Sequence, residues 1–355
     1  MRPEARIPRF HWMPPSALAE KGALVLSRRG VEHGAVRRAG VASPVPNARA
    51  HWDASQPLYL PKALTALPQF SGEIRRTRSL FERAQSNRLD FQAEVWRRLE
   101  GSAAWVPAGA AVDLADDREI EKVFADETRG GRTTARDLWA KLSWIAREPN
   151  DESLRVRFSF GSEFHDDWHG NRSHAAAADR FAQAVFPECG LITDNAPLTD
   201  LLSHLVRRSI RLSERIAFAN APGGGARFHH DHETEQRGVV FGQLAGKTAW
   251  LALPKRALAE AVSDTARGPL ARSLSSTARA LRMLDRHDVP ALDRLLNGNP
   301  RLTQALVDRR ALYVLSAGDV LLLPSHGPDD VAWHSVFALG ARPSLAHSYG
   351  LFAAR

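Results

Sequence analysis

Three histidines and two carboxylates lie within the six residues 228–233, which read Phe-His-His-Asp-His-Glu. In an extended strand, residues i and i+2 project to the same face, so His229 and Asp231 would point the same way and could bind one metal ion. A third ligand must come from elsewhere, and His334, in the stretch Trp-His-Ser-Val, offers one. Two histidines and one carboxylate that leave coordination positions open suit a non-haem Fe(II) centre.

The main alternative is that these residues lie on a solvated surface, because the chain has 14 histidines and 40 acidic residues. The sequence context favours the metal site. The cluster follows the glycine-rich turn 222–225 and precedes an apolar run, and burial of so many polar groups without partners costs free energy. Within the cluster, His230 would alternate outwards and contact the ligands or a substrate. His232 and Glu233 are expected in a loop that covers the site.

The elements that must position these residues are mainly strands. Alternation predicts a strand at 154–160, and further strand-like runs lie at 210–221, 238–244, 248–253, 311–316, 319–323, 332–338 and 344–352. Helices are predicted at 174–186 and 197–208, and a helical insertion at about 255–309. The fold class is therefore α+β, with a double-stranded β-helix, that is, a jelly-roll or cupin barrel. Such a barrel would bring His334 opposite His229, 105 residues earlier (334 − 229).

The N-terminal part has a different character. Proline and turn residues up to about residue 70 predict an irregular arm, and apolar residues spaced among charges predict amphipathic helices over 71–101. Residues 132–147 carry Leu138, Leu142 and Ile145 at helical spacing and are predicted as another helix. We therefore expect an irregular and helical region over 1–150 and the barrel with its insertion over 151–355. A second polar cluster, at 163–169, has no strand pattern and is predicted to be a loop.

Composition restricts the class of protein. Hydrophobic residues make up 44% and charged residues 25% of 355, as in globular proteins. No apolar run is long enough for a membrane helix, and the N-terminus lacks the apolar core of a secretory signal, so a cytoplasmic location is expected. Cys189 alone excludes an intramolecular disulfide. The net charge of +8 and the pI near 10.2 leave RNA, DNA or an acidic peptide open as partners.

The stretches FHHDHETEQRGVVFGQLAGKTAWLALP and GDVLLLPSHGPDDVAWHSV resemble the cupin-type JmjC oxygenases. That family pairs His-x-Asp with a strand motif similar to Gln-x-x-Gly-x-x-x-Trp-x-x-x-Pro, followed by Gly-Asp-x-Leu-x-x-Pro and Trp-His-x-Val. The resemblance covers roughly residues 205–352 and implies Fe(II) bound by the three ligands, with 2-oxoglutarate as cosubstrate. The matching positions are His229, Asp231, Gln243, Gly246, Trp250, Pro254, Gly318, Asp319, Leu321, Pro324, Trp333, His334 and Val336.

One departure concerns the residue that holds the distal carboxylate of 2-oxoglutarate. The family usually has Lys two residues after the strand glycine, where this chain has Thr248, and Lys247 comes one position early. In a strand that offset turns the side chain to the other face. Arg342, with Ser344, resembles the Arg-x-Ser of other 2-oxoglutarate oxygenases and is an alternative, since a guanidinium can bond both carboxylate oxygens. His347 on the last strand is a further pocket residue.

The resemblance implies a dioxygenase, most simply a hydroxylase of a peptide, a protein side chain or an RNA base. Two other functions remain open. Thr248 at the usual lysine position is compatible with a cupin metalloenzyme that uses no 2-oxoglutarate. The basic charge is compatible with a non-catalytic nucleic-acid-binding protein that keeps a barrel fold. Neither the substrate nor the oligomeric state has a sequence signature in this chain.

Overall fold

The computed structural model describes most of the chain. The described residues are 24–36, 47–65, 70–85, 90–113, 116, 118–146, 148, 151–161, 171–286 and 288–354. The polar cluster at 163–169, which we predicted to be a loop, lies outside these residues.

Strands carry the site and helices surround them. The strands are β1 (Leu24–Arg28), β2 (Val31–Val36), β3 (Leu58–Leu60), β4 (Trp105–Ala111), β5 (Glu119–Arg129), β6 (Arg132–Trp144), β7 (Leu154–Phe160), β8 (Ile210–Asn220), β9 (Gln236–Ala245), β10 (Lys247–Pro254), β11 (Leu312–Ser316), β12 (Val320–Gly327), β13 (Asp330–Leu339) and β14 (Ser344–Ala353). The helices are α1 (Ala48–Asp53), α2 (Phe70–Gln85), α3 (Phe91–Leu99), α4 (Arg172–Val185), α5 (Gly190–Thr193), α6 (Ala196–Val206), α7 (Lys255–Thr265), α8 (Gly268–Ser273), α9 (Thr277–Leu284), α10 (Pro290–Gly298) and α11 (Pro300–Asp308), with a 3₁₀ turn at Pro187–Cys189.

One large antiparallel sheet organises the molecule. Its strands follow the order β11-β10-β13-β12-β9-β14-β8-β7-β6-β5-β4, with β3 on β12, while β1 and β2 form a separate hairpin. The order differs from the chain order, so strands far apart in sequence become neighbours. A mixed α and β architecture dominated by an antiparallel sheet is consistent with the cupin-like fold that the sequence predicts.

Three groups of buried apolar side chains stabilise this arrangement. The largest lies between α2–α6 and strands of the sheet from β5 to β9, with β14. The second fills the space between the helices α7–α11 and strands β10 and β13. The third is contributed by strands from both halves of the sheet and includes Phe241, Trp250 and Val336. Alternation in β10 separates the last two groups, because Ala249 and Leu251 face the helices.

Most predicted elements from residue 154 onwards are confirmed, with ends that move by a few residues. The strand predicted at 210–221 is β8, and that predicted at 344–352 is β14. The helical insertion is confirmed as the run from α7 to α11, which lies between β10 and β11 of the sheet as predicted.

The helix predicted over 132–147 is wrong, because these residues form β6. The helical spacing of Leu138 and Leu142 arose by coincidence from a strand with both faces covered. Residues 138–143 are all buried, so polar and apolar positions do not alternate. The register with β5 also shifts at Ala125 and Glu127, and such a bulge removes the two-residue period that marks a strand.

The described parts of the first 70 residues are partly regular. The hairpin β1–β2 packs against α11 of the helical insertion, and β3 adds to β12. Strand β6 pairs with β7, so one sheet continues across residue 150. The division into regions 1–150 and 151–355 stays a prediction.

Among the described residues, no helix combines the length and apolar character needed to cross a membrane.

Candidate metal centre

The segment 224–229 lies antiparallel along β13. Ala226 and Val336 exchange backbone hydrogen bonds of 3.1 and 2.9 Å, and His229 and His334 exchange bonds of 3.0 and 2.9 Å. Gly225 makes this approach possible: a Cβ on it would lie 2.1 Å from the carbonyl oxygen of Val336, and its φ of +136° disfavours other residues. The glycine-rich turn therefore has a structural role, since it seats the first ligand segment on the strand that carries the last ligand.

The side chains of His229, Asp231 and His334 converge. Their potential ligand atoms all lie within 4.8 Å of one another, and Nε2 of each histidine lies 3.5 Å from a carboxylate oxygen of Asp231. The His334 side chain is 3% exposed, whereas those of His229 and Asp231 are 38% and 43% exposed. The structure thus brings together the three predicted ligands, one at the base of the site and two at its open side.

Hydrogen bonding and electrostatics prepare the two histidines differently. His229 Nδ1 lies 2.7 Å from the carbonyl oxygen of Arg227, which fixes the ring so that Nε2 faces Asp231. Confinement alone would lower the pKa of His229, but the Asp231 carboxylate outweighs it and the pKa is raised. Burial, and then the neighbouring His229, lower the pKa of His334 to about 3. His334 is therefore a neutral imidazole near pH 7, as a metal ligand must be.

The carboxylate between the two rings is ionised. Confinement in the cavity opposes ionisation of Asp231, but His229 and His334 outweigh this and hold its pKa below the usual range. A stable carboxylate flanked by two imidazoles offers one charged and two neutral donors. That donor set suits Fe(II) and partly neutralises its charge.

Arg28, from the N-terminal hairpin, joins the two ligand segments and is a residue that sequence reasoning missed. The Arg28 side chain donates to Ser335 Oγ at 2.8 Å, to Val336 O at 3.3 Å and to Ala226 O. It also donates to Asn297 Oδ1 at 3.0 Å, an oxygen that accepts the backbone N–H of Phe228 at 2.9 Å. Burial, followed by two nearby arginines, lowers the pKa of Arg28 to about 9, which leaves it cationic near pH 7.

The remaining residues of the cluster lie around the triad. His230 packs on Trp333 with ring centroids 5.1 Å apart, and His232 Nδ1 lies 2.7 Å from Ser325 Oγ. Glu233 lies in the loop before β9 and lines the cavity beside the triad, as expected for a loop residue at the site. Glu214 lines it too; burial, and then Glu233, raise the pKa of Glu214 to about 9.

A cavity of about 340 Å³ opens beside the triad. This volume lies at the lower end of the range of ligand pockets. Its lining is mixed, with apolar side chains from several strands, the carboxylates above and arginines on β7 and β8 that sequence reasoning also missed. The lining includes Arg155, Arg157, Arg215, Ile216, Phe218, Phe241, Trp250, Val336 and Ser348.

Lys247 and Thr248, two of the residues predicted to bind the cosubstrate, lie on β10, and neither places a positive charge in the cavity. Lys247 is exposed at the start of the strand, and the unshifted register of β10 with β13 keeps it on the face opposite Trp250. Thr248 is buried; its Oγ1 donates to Gln243 Oε1 at 2.7 Å and accepts the indole N–H of Trp250 at 2.9 Å. Thr248 therefore orients Trp250, which stacks on His334 at 5.2 Å.

The other three predicted cosubstrate residues also lie away from the triad. Arg342, predicted to bind the carboxylate, is exposed before β14 and lines a different cavity, together with Arg78 and Glu82, so the structure does not bring it to the triad. Ser344 is buried and accepts a 3.4 Å hydrogen bond from Asn220. His347 faces the helical side of β14, where Nδ1 lies 3.5 Å from Cys189 Sγ. His347 is predicted as a pocket residue, but alternation along β14 turns it away from the cavity face, where Ser348 lies.

Among solved structures, the remote neighbours of this chain include two bacterial proteins. No protein-family model and no curated protein matches the sequence. The ribosomal oxygenase YcfD from Escherichia coli is 15% identical over 68% of this chain and 41% of its own, with a TM-score of 0.26. An oxidoreductase of the 2OG-Fe(II) oxygenase family from Burkholderia pseudomallei is 12% identical over 88% of this chain and 93% of its own, with a TM-score of 0.32. Both neighbours are named as oxygenases.

Proposed function

We propose that the protein is an Fe(II)- and 2-oxoglutarate-dependent oxygenase, whose metal is bound by His229, Asp231 and His334. The observation that carries the proposal is the convergence of these three side chains within 4.8 Å beside a cavity. Two of them come from one loop and the third from a strand 105 residues later (334 − 229). They also occupy the ligand positions of the motif that resembles the JmjC oxygenases.

A double-stranded β-helix is the fold that accounts best for this convergence. Strands β8, β14, β9 and β12 are consecutive neighbours in the sheet, and β13, β10 and β11 form a second run. The segment 224–229 pairs with β13 at the edge of that second run. Two facing four-stranded layers of this kind, with side chains filling the space between them, are the pattern of a jelly-roll barrel.

The residues present fit a divalent ion. Bonds of about 2.0–2.2 Å from a metal to nitrogen and oxygen place neighbouring ligand atoms roughly 3–4 Å apart, and the histidine nitrogens here lie 3.5 Å from the Asp231 oxygens. Three protein ligands leave positions for a bidentate oxo acid and for O2. When bound, Fe(II) and 2-oxoglutarate supply the oxidising chemistry that such enzymes direct at a substrate C–H bond.

The chain's own residues would position the reactants and limit water. Trp250 stacks on His334 and meets Phe241 with ring centroids 4.5 Å apart, so an aromatic wall stands next to the buried ligand. The open side, where His229 and Asp231 are partly exposed, is left for a substrate. An enzyme of this kind needs an apolar lining behind the metal to exclude water from the reactive site. It also needs an exposed side at which a large substrate can enter.

The net charge of the protein and the exposure of the triad indicate the class of substrate, whereas no sequence motif identifies it. A net charge of +8 and a partly exposed triad suit a peptide, a protein side chain or an RNA base, and we propose hydroxylation of such a substrate in the cytoplasm. The basic charge alone also suits nucleic-acid binding without catalysis. The convergence of the three ligand side chains favours an enzyme over a protein that only binds nucleic acid.

Turnover of the cosubstrate tests the proposal. The full chain, loaded with Fe(II) under anaerobic conditions, is mixed with 2-oxoglutarate and O2, and succinate is followed by NMR with and without a panel of peptides, proteins and RNAs. We expect Fe(II)-dependent succinate formation that Asp231→Ala abolishes and the surface substitution Asp264→Ala leaves unchanged. No Fe(II)-dependent formation in any combination, coupled or uncoupled, would contradict the proposal.

A metalloenzyme that uses no 2-oxoglutarate is the second candidate. The observation that favours it is the position of Lys247 and Arg342, both exposed and away from the triad cavity. Such an enzyme would bind Fe(II) at the same three residues but would show no metal-dependent affinity for 2-oxoglutarate. Calorimetric titration of the Mn(II)-loaded protein with 2-oxoglutarate distinguishes the two.

A further inference from the structure

The cavity beside the triad contains cationic side chains that neither the sequence motif nor the metal site explains. Arg155 and Arg157 reach it from β7, and Arg215 from β8. Alternation places the two β7 residues on the cavity face: Arg157 is the register partner of Ile216 and Arg155 that of Phe218. Their neighbours Leu154 and Val156 belong to the core beneath the helices.

Two of these cations already have partners. Arg215 is buried, and its Nε lies 3.5 Å from Asp179 Oδ1 while its guanidinium lies 5.7 Å from the Tyr349 ring. Arg155 donates to Ser143 Oγ at 3.3 Å. These contacts hold both guanidinium groups in the surrounding structure.

Arg157 differs from them. Its register partner on β6 is Lys141, and directly opposed residues share a face of the sheet. Lys141 is neutralised by Asp116 and Glu119, each 2.9 Å from its ammonium nitrogen. Within the described part of the chain, Arg157 has neither a carboxylate nor a hydrogen-bond partner, although it is half-buried. A half-buried guanidinium in a cavity is stabilised when an anion binds it.

We propose that Arg157 binds the distal carboxylate of the oxo-acid cosubstrate, the carboxylate that does not coordinate the metal. This inference rests on the proposed function. The cavity that Arg157 lines also reaches His229, Asp231 and His334, so one dicarboxylate could contact the metal at one end and the guanidinium at the other. The assignment moves the carboxylate-binding residue from β10 or β14, where the sequence suggested it, to β7. Arginine suits this role because its planar fork bonds both carboxylate oxygens.

Ser348 and Phe241 lie between the two ends. Ile216, beside Arg157, is the register partner of Ser348, and Ser348 is that of Phe241. Phe241 in turn contacts Trp250, which stacks on His334. A path of side chains from β7 to the metal therefore crosses the floor of the cavity, with one hydroxyl and an otherwise apolar surface. Such a floor suits the methylene groups of a 2-oxo dicarboxylic acid.

The experiment compares two oxo acids that differ only at the distal end. 2-Oxoglutarate and 2-oxobutyrate are titrated by calorimetry into the Mn(II)-loaded full chain, without O2, so that binding is measured apart from activity. We expect Arg157→Ala to weaken 2-oxoglutarate about 10- to 100-fold and to leave 2-oxobutyrate unchanged. Arg157→Lys should recover part of the loss, because it keeps the charge without the fork. Arg342→Ala, the matched arginine outside the cavity, should change neither.

Three other results overturn the inference in different ways. If Arg157→Ala and Arg157→Lys bind 2-oxoglutarate as the wild type does, the distal carboxylate lies elsewhere while the proposed function stands. If Arg157→Lys, which keeps the positive charge, weakens the binding of both acids equally, Arg157 has a structural role. If the metal-loaded wild type binds neither acid, the proposed function fails and this inference fails with it.

Discussion

His229 and His334 are joined twice, through their backbones and across their side chains. They exchange backbone hydrogen bonds of 3.0 and 2.9 Å, and their ring centroids lie 4.2 Å apart. The metal ligands are therefore set by strand pairing itself, so a change that separates the segment 224–229 from β13 should weaken the metal site even where no ligand is altered.

Gly225→Ala tests this dependence. The added Cβ would lie 2.1 Å from Val336 O, at a φ of +136°, so the segment must move away from β13. We expect a loss of about 2–4 kcal/mol in the free energy of unfolding, measured by urea denaturation, together with weaker Fe(II) binding.

Gly223→Ala is the matched control. Gly223 has a φ of +71° but no atom within 4 Å of the added Cβ, so only backbone strain of about 1 kcal/mol is expected. Equal losses for the two variants would show that the close approach of Gly225 to β13 does not matter.

Arg28→Ala tests the contact between the hairpin β1–β2 and the ligand segments. Removal of the guanidinium takes one donor from each of Ser335 Oγ, Ala226 O and Asn297 Oδ1. The bonds that join the hairpin to both ligand segments are then lost, which destabilises the arrangement that they hold. We expect Fe(II) affinity to fall by about tenfold in a folded protein, measured by anaerobic titration. Arg286→Ala, which removes an exposed ion pair with Asp288, should leave the affinity unchanged.

Unchanged Fe(II) affinity in Arg28→Ala would mean that the backbone pairing holds the ligands without the hairpin. Arg28→Lys separates charge from geometry, because an ammonium cannot reach all four acceptors. An intermediate affinity is expected for it.

Glu127→Gln tests the contact between β5 and α4. Arg180, then Thr134 and Arg129, lower the pKa of Glu127 to about 2, against the opposing effect of burial. The ionised carboxylate thus stabilises the fold fully above its unfolded pKa, near 4.5, and this stabilisation is lost as the pH falls towards 2. At pH 7 the substitution should cost on the order of 1–2 kcal/mol, an amount that allows for screening at the partly exposed Arg180.

The measurement is urea denaturation of both proteins between pH 7 and the lowest pH at which the wild type folds. The difference in unfolding free energy should be largest above pH 4.5 and shrink below it. A difference in unfolding free energy that grows as the pH falls would contradict this prediction.

The sequence predicted the metal ligands because their relation is local or carried by a motif. His229 and Asp231 are two residues apart, a spacing that turns both side chains to one side of an extended segment, and His334 stands in a stretch that resembles a known ligand motif. Arg28 and Arg157 could not be found in this way. Arg28 meets Ala226 across 198 positions of sequence, and the cavity face of Arg157 follows from the pairing of β7 with β8. No periodicity within either segment encodes such a contact.

The same limit explains the error on secondary structure and the distance of the predicted cosubstrate residues from the triad. In β6, coverage of both faces and a bulge removed the alternation that identifies a strand. Arg342 matched a motif by its neighbours, yet it stands before β14 begins and faces another cavity. Where a side chain's role depends on which strands become neighbours, a one-dimensional pattern gives the residue type but not its direction.

The central claim is that one metal ion is bound by His229, Asp231 and His334, and an anaerobic Fe(II) titration of the wild type and single alanine variants tests it most directly. We predict one equivalent of Fe(II) per chain and a loss of more than about 100-fold in affinity for each of the three ligand variants. His230→Ala and His232→Ala, the matched histidines of the same cluster, should keep most of the wild-type affinity. Wild-type affinity in the three ligand variants, or loss of binding only in the two control variants, would contradict the claim.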